Sequence, residues 1–256
     1  MSDVILFEQK GAVAVITINK PKANQLSHEV FEGMRKQIDA IEMNREIKAV
    51  VITGSGDKIF SAGADLSSGF GDFGPIDFLK RGQDVWNKVE DCAKPVIAAL
   101  NGHALGGGCE LAMACHFRFL KKGARIGLTE TNLGIMPGYG GSLRLPRLVG
   151  RSKALEIMLL GRQVEADEAL AIGLVDRLCD EGKVLDEAIA FAEQLAKRPP
   201  IAVKAILKLT SMSPSISPEQ HLKIEREELG RLFTTKDMME GMTAFAQKRE
   251  PEFKGE

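Results

Sequence analysis

The spacing of apolar residues predicts that the chain begins with paired strands followed by a helix. Apolar segments at residues 4–7 and 13–18 flank Lys10-Gly11, a pattern typical of a β-hairpin. Ser27 is a suitable helix N-cap, and apolar residues then recur at helical spacing to about Met43. The expected buried stripe consists of Val30, Phe31, Met34, Ile38 and Ile41. We expect this helix to cover a sheet.

The middle of the chain alternates strand-like and helix-like segments. Short apolar runs at residues 49–53 and 95–100 are separated by a helical pattern at about 78–89, and a further run at 116–120 follows a helix that begins near Gly107. This order predicts a parallel sheet with right-handed crossovers, and therefore an α/β fold.

From residue 141 onward the pattern is helical. The predicted helices span residues 142–149, 153–160, 165–171, 184–196, 201–210, 219–233 and 236–248. Because the apolar faces of such a region need a partner, we expect it to pack onto the core or onto a neighbouring subunit.

Composition excludes few classes of globular protein but disfavours two kinds of ligand. The chain has 34 basic and 35 acidic side chains and a net charge of −1, so nucleic acid and anionic membrane are not expected as main ligands. No apolar run approaches the roughly 20 residues that cross a bilayer, and residues 1–10 lack a signal pattern, which predicts a cytoplasmic protein.

Neither the cysteines nor the histidines have the spacing of a metal site. The four cysteines are Cys92, Cys109, Cys115 and Cys179, and most lie in apolar contexts typical of buried thiols in a reducing compartment. The four histidines, His28, His103, His116 and His221, are scattered, so we expect no bound metal.

Two glycine- and alanine-rich segments are candidates for binding an oxygen atom. Residues 101–110 follow an apolar strand and precede a helix, and residues 60–66 follow the strand that ends near Thr53. If both turns lie at the carboxyl ends of strands in one parallel sheet, their N–H groups can face one crevice and one oxygen. Tight packing of helix on strand is an alternative reason for the glycines.

Two glutamates stand in surroundings that are otherwise nearly uncharged. Glu110 lies between Cys109 and Leu111, and Glu130 lies in the glycine-rich residues 127–141. A carboxylate in an apolar setting is costly unless it is paired, protonated or used in a reaction. Either residue alone could also be a capping or salt-bridging glutamate.

Three long motifs give the chain a recognisable family resemblance. They are Phe60-Ser-Ala-Gly-Ala-Asp-Leu66, Lys94-Pro-Val-Ile-Ala-Ala-Leu-Asn-Gly-His-Ala-Leu-Gly-Gly-Gly-Cys-Glu-Leu111, and Gly134-Ile-Met-Pro-Gly-Tyr-Gly-Gly141 leading to Arg144-Leu-Pro-Arg147. With them the chain resembles the crotonase (enoyl-CoA hydratase/isomerase) superfamily, and the match extends from about Asn19 to Gly255.

The resemblance implies a fold, an assembly and an activity. The expected fold is a spiral of β/β/α units over residues 1–195 with a C-terminal helical trimerisation region at 196–256, assembled as a homo-trimer or homo-hexamer. The expected activity is addition of water to an enoyl-CoA to give a 3-hydroxyacyl-CoA. Glu110 and Glu130 match the acid/base pair, and the N–H groups of Ala64 and Gly107 match the oxyanion hole.

The resemblance also implies contacts to an acyl-CoA substrate, whose coenzyme A is part of the substrate and leaves no separate cofactor to expect. Lys22 and Lys248 are candidates to meet its phosphates, although both could be ordinary surface lysines. The expected substrate-binding residues are Lys22, Ala23, Ala62, Gly63, Asp65, Leu66, Gly106, Pro137, Gly138, Tyr139, Phe245 and Lys248.

Departures from the family pattern leave the substrate open. His116 stands where Asp is common and Tyr139 where Ala is common, and the segment 67–74 is of low complexity. Tyr139 could change the shape of the acyl pocket, so a branched, cyclic or dienoyl-CoA is an alternative substrate. Isomerisation or ring hydrolysis is an alternative reaction, and RNA binding is the alternative from outside the enzymes.

Overall fold

A computed structural model describes residues 3–65 and 74–256 of the chain. Leu66 and residues 67–73 of the low-complexity segment lie outside these ranges. The ten strands of the described part are β1 (Ile5–Lys10), β2 (Val13–Ile18), β3 (Ala49–Gly54), β4 (Ile59–Ser61), β5 (Val96–Leu100), β6 (His103–Leu105), β7 (Phe117–Lys121), β8 (Arg125–Gly127), β9 (Val164–Glu165) and β10 (Arg177–Cys179).

The helices closely follow the predicted ones. Those in the described residues are α1 (His28–Met43), α2 (Pro75–Glu90), α3 (Gly107–Ala114), α4 (Gly141–Val149), α5 (Arg151–Leu159), α6 (Ala166–Ala171), α7 (Val184–Ala196), α8 (Pro200–Met212), α9 (Pro218–Leu232) and α10 (Lys236–Gln247). The α/β class predicted from the sequence is confirmed.

The larger sheet contains the strands that the hydrophobic pattern predicted. Its order is β1-β2-β3-β5-β7-β10, with an antiparallel hairpin at β1 and β2 and parallel pairing across the rest. Because successive side chains of a strand point to opposite faces, β2, β3, β5 and β7 each contribute to two apolar layers. In β2, for example, Ile16 faces the layer beneath α1 to α3, whereas Val15 faces the layer beneath α7.

The smaller sheet corrects the prediction about the glycine-rich turns. Its order is β4-β6-β8-β9, and β4, β6 and β8 are parallel neighbours. The cluster at residues 101–110 was expected to pass directly from β5 into a helix, but β6 intervenes between them. Ala64 and Gly107 therefore follow the short strands β4 and β6, at the same edge of one parallel pair.

The C-terminal helices α8 to α10 carry many of the exposed apolar side chains. These are Ile206, Leu222, Leu229, Phe233, Met239, Met242 and Phe245, all at least half exposed. The division at residues 195 and 196 stays a prediction. No helix in residues 3–65 and 74–256 is both long and apolar enough to cross a membrane.

Candidate active site

One cavity gathers most of the residues that the motifs singled out. It has a volume of about 640 Å³ and lies where the turns after β4 and β6 meet the start of α3, the segment 129–142 and one side of α2. Its lining residues are Ala62, Gly63, Ala64, Pro75, Phe78, Leu79, Gln83, Gly106, Gly107, Glu110, Thr129, Glu130, Leu133, Ile135, Met136, Pro137, Gly138, Tyr139, Gly140 and Ser142.

The turns after β4 and β6 touch because glycine stands at the point of contact. Gly63 has a φ of 90°, in the left-handed region that favours glycine. A Cβ at Gly63 would lie 3.0 Å from the Gly107 nitrogen and 3.0 Å from the Leu105 carbonyl oxygen. The absent side chain thus lets two backbone segments approach closely.

Two N–H groups beside this contact find no acceptor among the described residues. Within the described ranges, neither the Ala64 N–H nor the Gly107 N–H donates a hydrogen bond to another residue. Gly107 is also the first residue of α3, where the helix leaves its N–H groups unpaired and contributes positive potential. Both residues line the cavity, so the pair is suited to a carbonyl oxygen that gains negative charge.

The turn after β4 is fixed to the segment that precedes α1. The Leu26 N–H donates to the Gly63 carbonyl at 2.9 Å, and the Asp65 N–H donates to the Leu26 carbonyl at 3.0 Å. The buried Asp65 carboxylate accepts from the Lys20 ammonium at 2.7 Å. Asp65 is therefore a structural support of the turn and not a lining residue of the cavity.

Glu110 is buried in the first turn of α3, with only 1% of its surface exposed. Its Oε1 accepts from the N–H groups of Tyr139 and Gly141, each at 2.7 Å. Burial, with the charge of Glu130 added, raises the pKa of Glu110 to about 7, against the lowering effect of these two hydrogen bonds and of Arg144.

Glu130 begins a 3₁₀ turn, Glu130–Leu133, on the other side of the cavity. Its Oε1 lies against Gly106, where a Cβ would approach it to 3.3 Å, and burial raises the pKa of its carboxyl. The Oε2 atoms of Glu110 and Glu130 are buried and accept no hydrogen bond from the part of the chain that is described. Such oxygens require a polar partner, and a water molecule has the right size and donors.

Tyr139 forms an aromatic wall of the cavity. Its ring packs edge-on against Phe31, with ring centroids 5.4 Å apart, and lies beside Gly82 of α2. A Cβ at Gly107 would lie 3.1 Å from its Cδ2 and Cε2 atoms. The ring therefore closes the space next to the start of α3.

The cavity includes ten of the predicted residues and omits several others. Lys22 is exposed, and the Ala23 carbonyl accepts from the Ala62 N–H at 3.0 Å. Phe245 is 88% exposed on α10, and Lys248 lines a separate cavity with residues 196–198 and 249–253. These four residues and Asp65 do not line the cavity, and Leu66 lies outside the described residues.

Sequence reasoning missed two residues that shape the site. Gly82 of α2 provides the space for the Tyr139 ring, and Arg144 of α4 donates to the Tyr139 carbonyl at 2.9 Å. An isolated glycine within an amphipathic helix pattern was a signal for Gly82. Arg144 belongs to the third motif but had no predicted role.

Comparison with known proteins agrees with this geometry. The model of the enoyl-CoA hydratase/isomerase family matches residues 8–256. The chain is 42% identical to a probable enoyl-CoA hydratase of Bacillus subtilis, covering 95% of this chain and 96% of that protein. It is 40% identical to a short-chain-enoyl-CoA hydratase of Clostridium acetobutylicum, covering 97% and 96%.

A solved structure shows the same fold at similar identity. The enoyl-CoA hydratase of Bacillus anthracis superimposes with a TM-score of 0.95 at 37% identity, covering 99% of this chain and 100% of that one. The spiral α/β architecture implied by the motifs is thus confirmed. The chain belongs to the enoyl-CoA hydratase/isomerase family of enzymes.

Proposed function

We propose that this protein adds water across the α,β double bond of an acyl-CoA thioester to form a 3-hydroxyacyl-CoA. The observation that carries the proposal is the meeting in one cavity of the buried Glu110 and the half-buried Glu130 with two N–H groups, of Ala64 and Gly107, that donate to no other described residue. The names of its relatives, which include a short-chain-enoyl-CoA hydratase, add support for this reaction.

The N–H groups of Ala64 and Gly107 form the proposed oxyanion hole. Addition of water to the β-carbon moves electrons from the double bond toward the thioester oxygen, which becomes negatively charged. Two preorganised donors stabilise that charge, and removing one such donor from other enzymes costs about 3 kcal/mol of transition-state stabilisation. Only the backbone is used, so the small side chains at these positions leave room for the acyl group.

The two glutamates supply the proton transfers in this proposal. Glu110 accepts a proton from the water molecule as its oxygen bonds to the β-carbon, and Glu130 gives its proton to the α-carbon as the enolate collapses. The reaction consumes one water molecule, and the proton returns from Glu110 to Glu130 through solvent between turnovers.

This mechanism requires a pair of carboxyl groups that carries one proton. Burial raises the pKa of both carboxyls, that of Glu110 to about 7, so the pair shares about one proton at neutral pH. The assignment of Glu110 as the base is supported by its two N–H partners, because hydrogen bonds of that kind stabilise the ionised form.

The coenzyme A portion of the substrate is expected to leave the cavity past Ala62, Gly63 and Gly106. Beyond the cavity, the proposed contacts of coenzyme A are Lys22, Ala23, Asp65, Leu66, Phe245 and Lys248. Asp65 also supports the turn after β4. No cofactor other than the coenzyme A of the substrate takes part in the proposed reaction.

The C-terminal helices support a proposed homo-trimer or homo-hexamer. The exposed apolar side chains of α8 to α10 would be covered by neighbouring copies, which would also explain why Phe245 and Lys248 lie away from the cavity of their own chain. Native mass spectrometry of the full chain tests this assembly directly, and a monomer at micromolar concentration would contradict it.

The reaction itself is tested with crotonyl-CoA and the wild-type protein. We expect the absorbance of the conjugated thioester to fall and a product heavier by one water to appear in the mass spectrum. A product of unchanged mass from a 3-enoyl-CoA, without hydration of crotonyl-CoA, would favour an isomerase instead. If crotonyl-CoA is not hydrated, the same assay is repeated with branched, cyclic and dienoyl-CoA thioesters. Hydration of one of them would indicate a different substrate, and hydration of none would indicate a different reaction.

A further inference from the structure

A buried arginine connects α2 to the turn that holds Glu110. Arg144 is only 3% exposed, and its Nε and Nη2 donate to the Glu90 Oε2 at 2.9 and 2.6 Å. Nη2 also donates to the Asn87 Oδ1 at 2.7 Å, and Nη1 donates to the Tyr139 carbonyl at 2.9 Å. All three nitrogens of the guanidinium are thus committed, and one of them holds the backbone of the active site.

The turn at residues 139–141 is the direct link between this arginine and the glutamate. Arg144 binds the carbonyl of Tyr139, and the N–H groups of Tyr139 and Gly141 bind the Glu110 Oε1. Gly140, between them, has a φ of 100°, and a Cβ there would lie 2.3 Å from the Arg144 Nη1. The sequence Tyr-Gly-Gly therefore allows one turn to accept from a buried cation on one side and donate to a buried carboxylate on the other.

We propose that Arg144 is a positioning residue that fixes the 139–141 turn so that both of its N–H groups hold the Glu110 carboxylate in place for reaction with water. This inference rests on the proposed hydratase function. Within the described residues, Arg144 forms no hydrogen bond or ion pair with Glu110 or Glu130. It therefore acts through the turn and through its charge.

The electrostatic surroundings of Glu110 agree with this role. Burial and the Glu130 carboxylate oppose ionisation of Glu110, whereas the two N–H donors and the charge of Arg144 favour it. The thiol of Cys109 lies next to it in α3, and burial keeps that thiol neutral by raising its pKa. Among the described residues, the cation that lowers the pKa of Glu110 is Arg144, whose own ion partner is the carboxylate of Glu90.

A purely structural role is the competing explanation, and Arg118 offers a matched control. Arg118 is 5% exposed and donates to the carbonyls of Cys115 and Leu174, with Asp176 as its ion partner. It does not line the cavity. Replacing either arginine by methionine should destabilise the fold, but only Arg144→Met should alter the protonation of Glu110.

The experiment compares Arg144→Met, Arg144→Lys and Arg118→Met with the wild type. For Arg144→Met we expect kcat for crotonyl-CoA to fall by about 10²-fold, since misplacement of a reacting group can cost that much, while KM stays within about twofold. Activity should be lost on the alkaline side of a pH profile as the glutamate pair gives up its last proton, near pH 7 in the wild type. In Arg144→Met this alkaline limb should move to higher pH. Arg144→Lys, which keeps the charge but loses the fork, should restore the limb more fully than kcat.

A second measurement separates this inference from the proposed function. Protein labelled with ¹³C at the glutamate carboxyl is titrated by NMR, and the Glu110 signal is assigned with Glu110→Gln. An upward shift of the Glu110 titration in Arg144→Met supports the inference even if the wild type hydrates no substrate, a result that would reject only the proposed function. An unchanged titration in folded Arg144→Met, or an equal shift in Arg118→Met, would overturn the inference. If Arg144→Met does not fold, Arg144→Gln, which also removes the charge, carries the same comparison.

Discussion

The ring of Tyr139 occupies the space that a side chain at Gly82 would need, because a Cβ there would lie 2.4 Å from the Tyr139 Cε1 atom. The contact joins α2 to the segment that carries the N–H partners of Glu110. It also fixes the size of the cavity next to Gly107. The shape of the cavity at this point therefore depends on this pair.

Replacing Tyr139 with alanine should enlarge the cavity at its acyl end. We expect the ratio of kcat/KM for an eight-carbon enoyl-CoA over crotonyl-CoA to rise about tenfold or more, since each methylene in an apolar pocket is worth 1–3 kcal/mol. The hydrogen bond to Glu110 comes from the backbone and should persist. Tyr139→Phe, which keeps the ring, is the control, and an unchanged ratio in Tyr139→Ala would remove this residue from acyl selection.

The contact between the two turns predicts the effect of a methyl group at Gly63. Gly63→Ala adds a Cβ 3.0 Å from the Gly107 nitrogen at a φ of 90°, so the proposed donors should be displaced and kcat should fall about 10²- to 10³-fold. Gly56→Ala is the matched control. Its φ of 81° imposes similar strain, but no atom lies within 4 Å of the added Cβ. Equal losses of activity in both variants would show that strain, and not the donors, is responsible.

The pH dependence of kcat/KM should follow the shared proton of the glutamate pair. On the alkaline side, activity should fall at a limb near pH 7 as the pair loses its remaining proton, because the pKa of Glu110 is raised to about 7. On the acid side, activity should fall when both carboxyls are protonated, at a pH above the ordinary glutamate range because the pKa of Glu130 is also raised. A profile flat from pH 5 to 9 would contradict a reaction that needs one proton on the pair.

The approach of β6 to the segment before β4 predicts a stability effect. A Cβ at Gly102 would lie 2.1 Å from the carbonyl carbon and oxygen of Lys58, which are backbone atoms that cannot rotate away. Gly102→Ala should therefore lower the free energy of unfolding by about 1–3 kcal/mol, measured by chemical denaturation. Gly230→Ala, on α9 with nothing within 4 Å, should instead raise it by up to about 1 kcal/mol. A destabilisation no larger in Gly102→Ala than in Gly230→Ala would contradict the contact.

The hydrophobic pattern was sufficient to predict most of the larger sheet and the helices. In α1, the five residues of the predicted stripe are the five that are buried. A 16-residue amphipathic helix is long enough for the helical spacing of its apolar residues to be recognised in the sequence. Ser27 occupies its N-cap position, although its side chain makes no capping hydrogen bond. The motifs were sufficient to predict the family.

The smaller sheet and the supports of the site could not be predicted in this way. Strands β4, β6, β8 and β9 have two or three residues, which is too short for an alternating pattern to be recognised. The partners of Arg144 lie 54 and 57 residues away in α2, so only the folded chain brings them together. For the same reason, Gly82 was part of a helix pattern with no visible link to Tyr139.

The comparison of three variants with crotonyl-CoA tests the proposed two-glutamate hydration most directly. Glu110→Gln and Glu130→Gln should each lower kcat/KM by about 10²- to 10⁴-fold, the usual contribution of a general acid or base, while their thermal unfolding remains cooperative. Glu8→Gln, at an exposed carboxylate on β1, should retain wild-type activity. Hydration by folded Glu110→Gln or Glu130→Gln at a rate within a few-fold of the wild type would contradict the account.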